Sequence, residues 1–215
     1  MEVIKVLDDL YKFNHSIPNV PINFNQFLFL GSKPLLIHTG NHKMAKELVP
    51  KLKEILGEKK LSYIFVSHFE GDECGGIDLI LEEYPEAHTI CSKTTSMQFN
   101  GFGFNYDLQI ENPGDTLEEE IYSLKFISYP SEMHLWEGLI AFDTKRNILF
   151  SSDLIINFDN INEQIIDSTL EMEIDSITDR QIPSPKALEI IKHVLSELPI
   201  KYIASGHGPF IKLHN

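Results

Sequence analysis

The run Tyr63-Ile64-Phe65-Val66-Ser67 followed by His68-Phe69-Glu70-Gly71-Asp72-Glu73 and then Cys74-Gly75-Gly76 decides how this chain is read. An apolar stretch of strand length stops and hands over to a glycine-bearing turn. Three metal-competent side chains, His68, Glu70 and Asp72, then stand at every second position. Such a turn can splay alternate side chains toward one point, as a cation requires of its ligands. The stretch therefore reads as half of a metal site, and the other half has to come from elsewhere in the chain.

Outward from that stretch, the pattern is strand-rich. Val3-Ile4 and Val6-Leu7 read as strand, and Gln26 to Leu30 and Leu35 to Ile37 flank Gly31-Ser32-Lys33-Pro34 as a hairpin. Met44, Ala45, Leu48, Val49, Leu52, Ile55 and Leu56 form one apolar helix face, closed by Gly57. After the motif, Ile77 to Glu83 reads as a short helix ending before Pro85, and His88 to Cys91 as a brief strand. Residues 92 to 114 are rich in Phe, Asn and Gly, and the expectation there is a short helix and an aromatic loop. Strands follow over Ile121 to Ile127, Gly138 to Phe142 and Asn147 to Ser151, the last two joined by the turn Asp143 to Arg146. A helical region is expected from about Asn160 to Thr178 and a second helix after Pro183-Ser184-Pro185, before a final strand Tyr202-Ile203-Ala204.

Single candidates carry little weight, since a lone histidine or a lone aspartate at a strand end usually serves a turn or cap. Their joint placement carries more. His68, Glu70 and Asp72, then His134, Asp153 and His207 each follow the end of an expected strand. The layout suggests two sheets packed face to face, helices outside, and a cleft along one edge.

The order His-x-Glu-x-Asp, His, Asp, Gly-His-Gly-Pro, with Pro34 to Gly40 upstream, resembles the metallo-β-lactamase fold superfamily over nearly the whole chain. Within it, the closest resemblance is to the diiron domain of flavodiiron proteins and to oxygen-binding diiron proteins. The resemblance implies an αββα sandwich of two mixed sheets, with residues 1–215 forming a single diiron domain. It also implies the ligands: His68, Glu70 and His134 on one iron, Asp72 and His207 on the other, Asp153 bridging. Hydrolases of the superfamily carry histidine at the position of Glu70. Hard carboxylate oxygens suit iron moving between its ferrous and ferric states, whereas an imidazole-rich shell suits hydrolytic zinc.

Two departures stand out. Glu73 occupies a position that is histidine in flavodiiron proteins, so either Glu73 ligates the second iron or that iron is one ligand short. No Gly- and Ser/Thr-rich loop for a flavin mononucleotide is seen, and no flavodoxin-like segment follows. The resemblance thus implies a non-haem diiron protein that binds dioxygen or another diatomic ligand, as a sensor or as an oxygen or nitric oxide reductase. Electrons or signals would pass through a separate protein partner, and the resembling proteins commonly pair as homodimers. The alternative is a metal-dependent hydrolase using a metal-bound hydroxide.

Composition bounds these readings. The 215 residues suffice for one well-buried domain, and 42% hydrophobic with 23% charged residues is ordinary for a soluble globular protein. A net charge of -14 repels nucleic acid and anionic membranes. No apolar run reaches membrane-span length, and Met1 to Lys5 lacks a secretory layout, so a cytoplasmic protein is expected. Cys74 and Cys91 form no CxxC pair and no disulfide framework. Met133 and Trp136 flank His134 and are candidates to line a gas pocket, with core packing as the alternative, while Tyr11, Phe24, Phe27, Phe99, Phe102, Phe104 and Tyr106 are candidates to shield a metal site from water. His38 and His42 sit near the expected cleft, where the family layout does not make them ligands.

Overall fold

A computed structural model describes residues 1–129, 138–158 and 162–214. The first sheet joins strands β1 (Glu2–Leu7), β2 (Leu10–Ser16), β3 (Asn23–Phe29), β4 (Leu35–Ile37), β5 (Tyr63–Phe65), β6 (His88–Ser92) and β7 (Leu108–Glu111), in chain order. Its first four strands pair antiparallel and its last three join in parallel, each through a crossover. Helix α1 (His42–Leu56) connects β4 to β5. The short α2 (Gly71–Cys74) and α3 (Ile77–Glu83) connect β5 to β6, and α4 (Lys93–Gly101) leads to β7.

The second sheet has the order β12 (Ile165–Ser168), β14 (Phe210–Leu213), β13 (Tyr202–Ser205), β11 (Ile148–Ser152), β10 (Gly138–Asp143), β9 (Ser123–Tyr129) and β8 (Thr116–Glu118). It too is mixed: β11 runs parallel to β13, and β12 parallel to β14. Helices α5 (Leu170–Ser176) and α6 (Pro185–Ser196) complete the chain.

Alternation along the strands builds four layers. Phe27, Phe29, Ile37, Phe65 and Ile90 of the first sheet meet Phe126, Leu139, Ala141, Phe150, Ala204 and Phe210 of the second in one core. The intervening Leu28, Leu36 and Ile64 point the other way, onto Leu48 and Leu52 of α1 and Ile77 and Ile80 of α3. On the opposite side Ile140, Phe142, Leu149 and Ile203 pack on Ile191 and Leu195 of α6. A period of two places successive side chains on opposite faces, so a strand buried on both faces is apolar throughout. This is the expected αββα sandwich. Among the described residues no helix is long and apolar enough to cross a membrane.

Three expectations need correction. The aromatic stretch after α4 is not all loop, because β7 pairs in parallel with β6, and β8 pairs with β9. The expected helical region from about Asn160 is strand at Ile165–Ser168, and helix only from Leu170. Ile165 and Ile166 there pair with Phe210 and Ile211 of β14, so cross-strand pairing overrides the acidic, helix-like composition. Finally, β14 continues the chain beyond the last expected strand.

Candidate metal centre

The strands bring the motif residues to one edge of the sandwich. His68 follows β5, Asp153 follows β11 and His207 follows β13, so both sheets contribute from their carboxyl ends. Two groups of ligand atoms converge there, each with all atoms within 4.8 Å of one another. One comprises His68, Glu70, Glu73 and Asp153; the other comprises Asp72, Glu73 and His207. His134, expected to join the first group, lies outside the described residues, as do Met133 and Trp136.

Asp153 spans the two groups through its two oxygens. Oδ2 stands 3.6 Å from His68 Nε2, and Oδ1 stands 3.1 Å from His207 Nε2. Each histidine also faces a motif carboxylate: His68 Nε2 is 3.0 Å from Glu70 Oε2, and His207 Nε2 is 3.4 Å from Asp72 Oδ2. Both imidazoles are held from behind. His207 Nδ1 donates to the Asn23 carbonyl (2.8 Å), which leaves Nε2 with its lone pair toward the carboxylates when the ring is neutral. His68 Nδ1 bonds Ser67 Oγ (3.0 Å), which also reaches His38 Nε2 (2.9 Å) and Ser152 Oγ (2.8 Å). His38 is therefore no member of the ligand groups; it is buried behind Ser67, at a φ of 63°.

Glu73 is the residue for which the sequence alone left two roles open. Its side chain is 2% exposed, its Oε2 has no hydrogen-bond partner among the described residues, and it belongs to both groups. The turn explains this. Glu70 stands at the extended N-cap position of α2, its side chain making no cap, and Glu73 lies three residues on inside the helical turn, so both carboxylates reach the same group rather than alternating as on a strand. That i, i+3 spacing is the signal a strand-like reading of the motif passes over.

The electrostatics are those of a buried anionic cluster only partly offset by its histidines. Burial, reinforced by Asp153 and Asp72, pushes the Glu73 carboxyl well above the usual carboxylate range. Asp72 is also raised, by burial first and then by Asp153. Burial alone would raise Asp153 too, but its hydrogen bond and charge interaction with His207 prevail and bring it to about 2. Burial opposes the His207 imidazolium, yet Asp153 carries it up to about 9. Four carboxylates crowding two histidines, with a buried and unpartnered oxygen between them, fit a pair of hard cations.

The aromatic side chains divide into those that touch the cluster's histidines and those that pack on one another beside the turn. Phe69 stacks on Phe102 at 5.1 Å and meets Phe99 edge-on at the same centroid distance, while Phe104 stacks on Tyr106 at 5.5 Å. Phe24 packs edge-on against His207 at 5.2 Å, and Tyr129 against His68 at 5.3 Å. Phe27 instead belongs to the intersheet core, and Tyr11 packs on the helix side of the first sheet. A cavity of about 750 Å³ lined by Tyr129, Gly138, Ile127 and Ile191 contains none of the clustered carboxylates and histidines. Gly138 sits where a Cβ would stand 2.1 Å from the Ser67 carbonyl oxygen and 3.0 Å from His68 Cβ, so β10 closes directly onto the ligand-bearing turn.

Comparisons with known proteins bear on the fold that carries this cluster. The nitric oxide reductase of Moorella thermoacetica is 26% identical over 198 residues, covering 86% of this chain and 48% of that protein. The flavodiiron protein from Giardia intestinalis superposes with a TM-score of 0.81 at 18% identity, covering 99% of this chain and 56% of that one. The rubredoxin oxygen:oxidoreductase from Desulfovibrio gigas gives 0.81 at 15% identity, covering 98% and 57%. The chain thus spans less than half the length of the curated relative it matches. A family model described as ODP family beta lactamase matches residues 22–208, and the chain belongs to that family of metallo-β-lactamase-fold domains, whose structural neighbours are flavodiiron cores.

Proposed function

We propose that this chain is a diiron domain that captures dioxygen or nitric oxide, with electrons or signals exchanged through a separate protein. The observation that supports it most is the two-lobed carboxylate cluster, in which Asp153 faces both histidines and Glu73 is common to both lobes. His68, Glu70 and Asp153 would hold one iron together with His134, and Asp72, His207 and Asp153 the other. Glu73 stands where it can serve either. When bound, the iron pair would supply redox chemistry toward a diatomic ligand.

The protein's own groups do the rest. The Asn23 carbonyl accepts the Nδ1 proton of His207, and Ser67 Oγ hydrogen-bonds His68 Nδ1, keeping the Nε2 atoms turned to the centre. Phe69, next to His68, stacks on Phe102 and meets Phe99 edge-on, and Phe24 packs edge-on against His207, an arrangement that would restrict water around the turn that carries Glu70. Glu70 weighs against hydrolysis, because the imidazole-rich shell that acidifies a zinc-bound water is replaced by carboxylate. The same reading takes residues 1–215 as one such domain, working in the cytoplasm and pairing as a homodimer in the manner of the proteins it resembles.

The test is to load the protein anaerobically with ferrous iron and then admit dioxygen. Stoichiometric uptake with a new visible absorption band supports ligand capture, and sustained consumption with a reductant and a donor flavoprotein supports a reductase. A protein that takes up no dioxygen while hydrolysing esters with zinc would overturn the proposal.

A further inference from the structure

Lys12 lies in the middle of β2, outside the family-model match that begins at residue 22, and its side chain is fully buried. Its Nζ donates to the Gly208 carbonyl at 2.8 Å, with the Gln164 carbonyl at 3.5 Å. Asn25 of β3 donates to the same Gly208 oxygen at 2.8 Å and to the Ser205 carbonyl at 3.0 Å, and is itself fixed by Asn14 of β2. The Gly208 amide donates to Asn23 Oδ1 (2.6 Å), and Asn25 N donates to the Gly206 carbonyl (2.8 Å). The loop that carries His207 is thus gripped on both sides by polar groups of the N-terminal strands. Gly208 adopts a φ of 103°, open to glycine, and its buried carbonyl takes its donors from Lys12 and Asn25.

We propose that Lys12 is a positioning residue for His207: its Nζ, together with Asn25, fixes the Gly208 carbonyl and so aims the imidazole Nε2 at Asp153 and Asp72. A buried lysine is a costly way to fill a core position. Burial drives its amine down to about 7 against the favourable charge of Glu2. An unbranched apolar side chain of similar length would serve the sandwich better, so the lysine is placed for its donor. The inference rests on the reading of His207 as a metal ligand.

The experiment compares the full chain with Lys12→Met and Lys12→Gln. In the metal-free protein, Lys12→Met should leave global stability unchanged or higher, while amide exchange at Gly206, His207 and Gly208 quickens by about tenfold or more. In competition titrations with ferrous and zinc ions, Lys12→Met should weaken binding about tenfold, within the range expected for groups that orient ligands, and Lys12→Gln, which retains a donor, should recover part of the loss. Unchanged exchange and unchanged affinity overturn the inference. So does tighter metal binding, which would mean that the lysine acts only as a repelling charge, and so does loss of the metal-free fold, which would mean that it serves the fold. If the parent chain binds neither ion while the exchange effect holds, the positioning role stands and the metal reading falls.

Discussion

Replacing Ser67 with alanine tests how the centre is held together. Its hydroxyl is the meeting point of His38 Nε2, His68 Nδ1 and Ser152 Oγ, at 2.9, 3.0 and 2.8 Å. All four residues are buried, and they join the end of β5 in one sheet to the end of β11 in the other. Ser67→Ala removes three bonds at once while changing the volume little. A net loss of about 1 kcal/mol per bond sums to about 3 kcal/mol, because water cannot replace the partner at a buried site. For a domain of this size, that lowers Tm by about 6–12 °C. Urea unfolding of the metal-free protein reads the change directly. A cycle with His38→Asn apportions it: asparagine tolerates the positive φ at this position, but its shorter amide falls short of Ser67. The double variant should lose clearly less than the sum of the single losses. A Ser67→Ala cost below about 0.5 kcal/mol, or simple additivity, would refute the network, since buried bonds of this kind are coupled.

Further outcomes follow from the same geometry. Lys12 is depressed from 10.5 to about 7, so between those values the unfolded chain binds the proton that the folded chain lacks. The Lys12 contribution to stability should therefore rise by about 2 kcal/mol between pH 7 and 9. It is opposed by His207, which is held at about 9 in the fold and loses its stabilisation over the same window. Stability should thus climb more with pH in the parent than in Lys12→Met by about that amount; urea unfolding at the two pH values with equal slopes in both proteins would count against it. Gly138→Ala forces a Cβ to within 2.1 Å of the Ser67 carbonyl oxygen, which already accepts a bond from Leu139 N. The strain should cost about 1–3 kcal/mol and reduce metal uptake, and a variant that unfolds and binds metal like the parent removes the argument for that close approach. Glu73→Gln keeps the volume and the fold but removes a carboxylate common to both lobes. Metal analysis should show occupancy falling from about two ions per chain toward one, and two ions held with unchanged affinity would exclude Glu73 as a ligand.

Much of the architecture was legible because the chain alternates cleanly. Strands such as β4 and β5 are apolar throughout, as double-sided burial demands, and α1 carries one apolar stripe closed by Gly57 at a φ of 59°. What local pattern cannot show is pairing. Ile165–Ser168 becomes a strand only because Phe210–Leu213 lies beside it, forty-five residues further along at the first pair Ile165 and Phe210. The site shows the same division. His68, Glu70, Asp72, Asp153 and His207 are visible as polar residues at strand ends, and the structure brings them together. The roles of Asn23, Ser67, His38 and Lys12 arise from contacts across the two sheets, of which the sequence holds no local trace. Glu73 lay between these cases, its spacing from Glu70 readable only once the motif is known to wind into a turn.

The central claim is that this carboxylate-rich cluster holds a pair of irons. Metal content of protein isolated and loaded without oxygen tests it most directly. The account predicts about two irons per chain. Recovery of zinc alone, with iron excluded even in anaerobic loading, would contradict it.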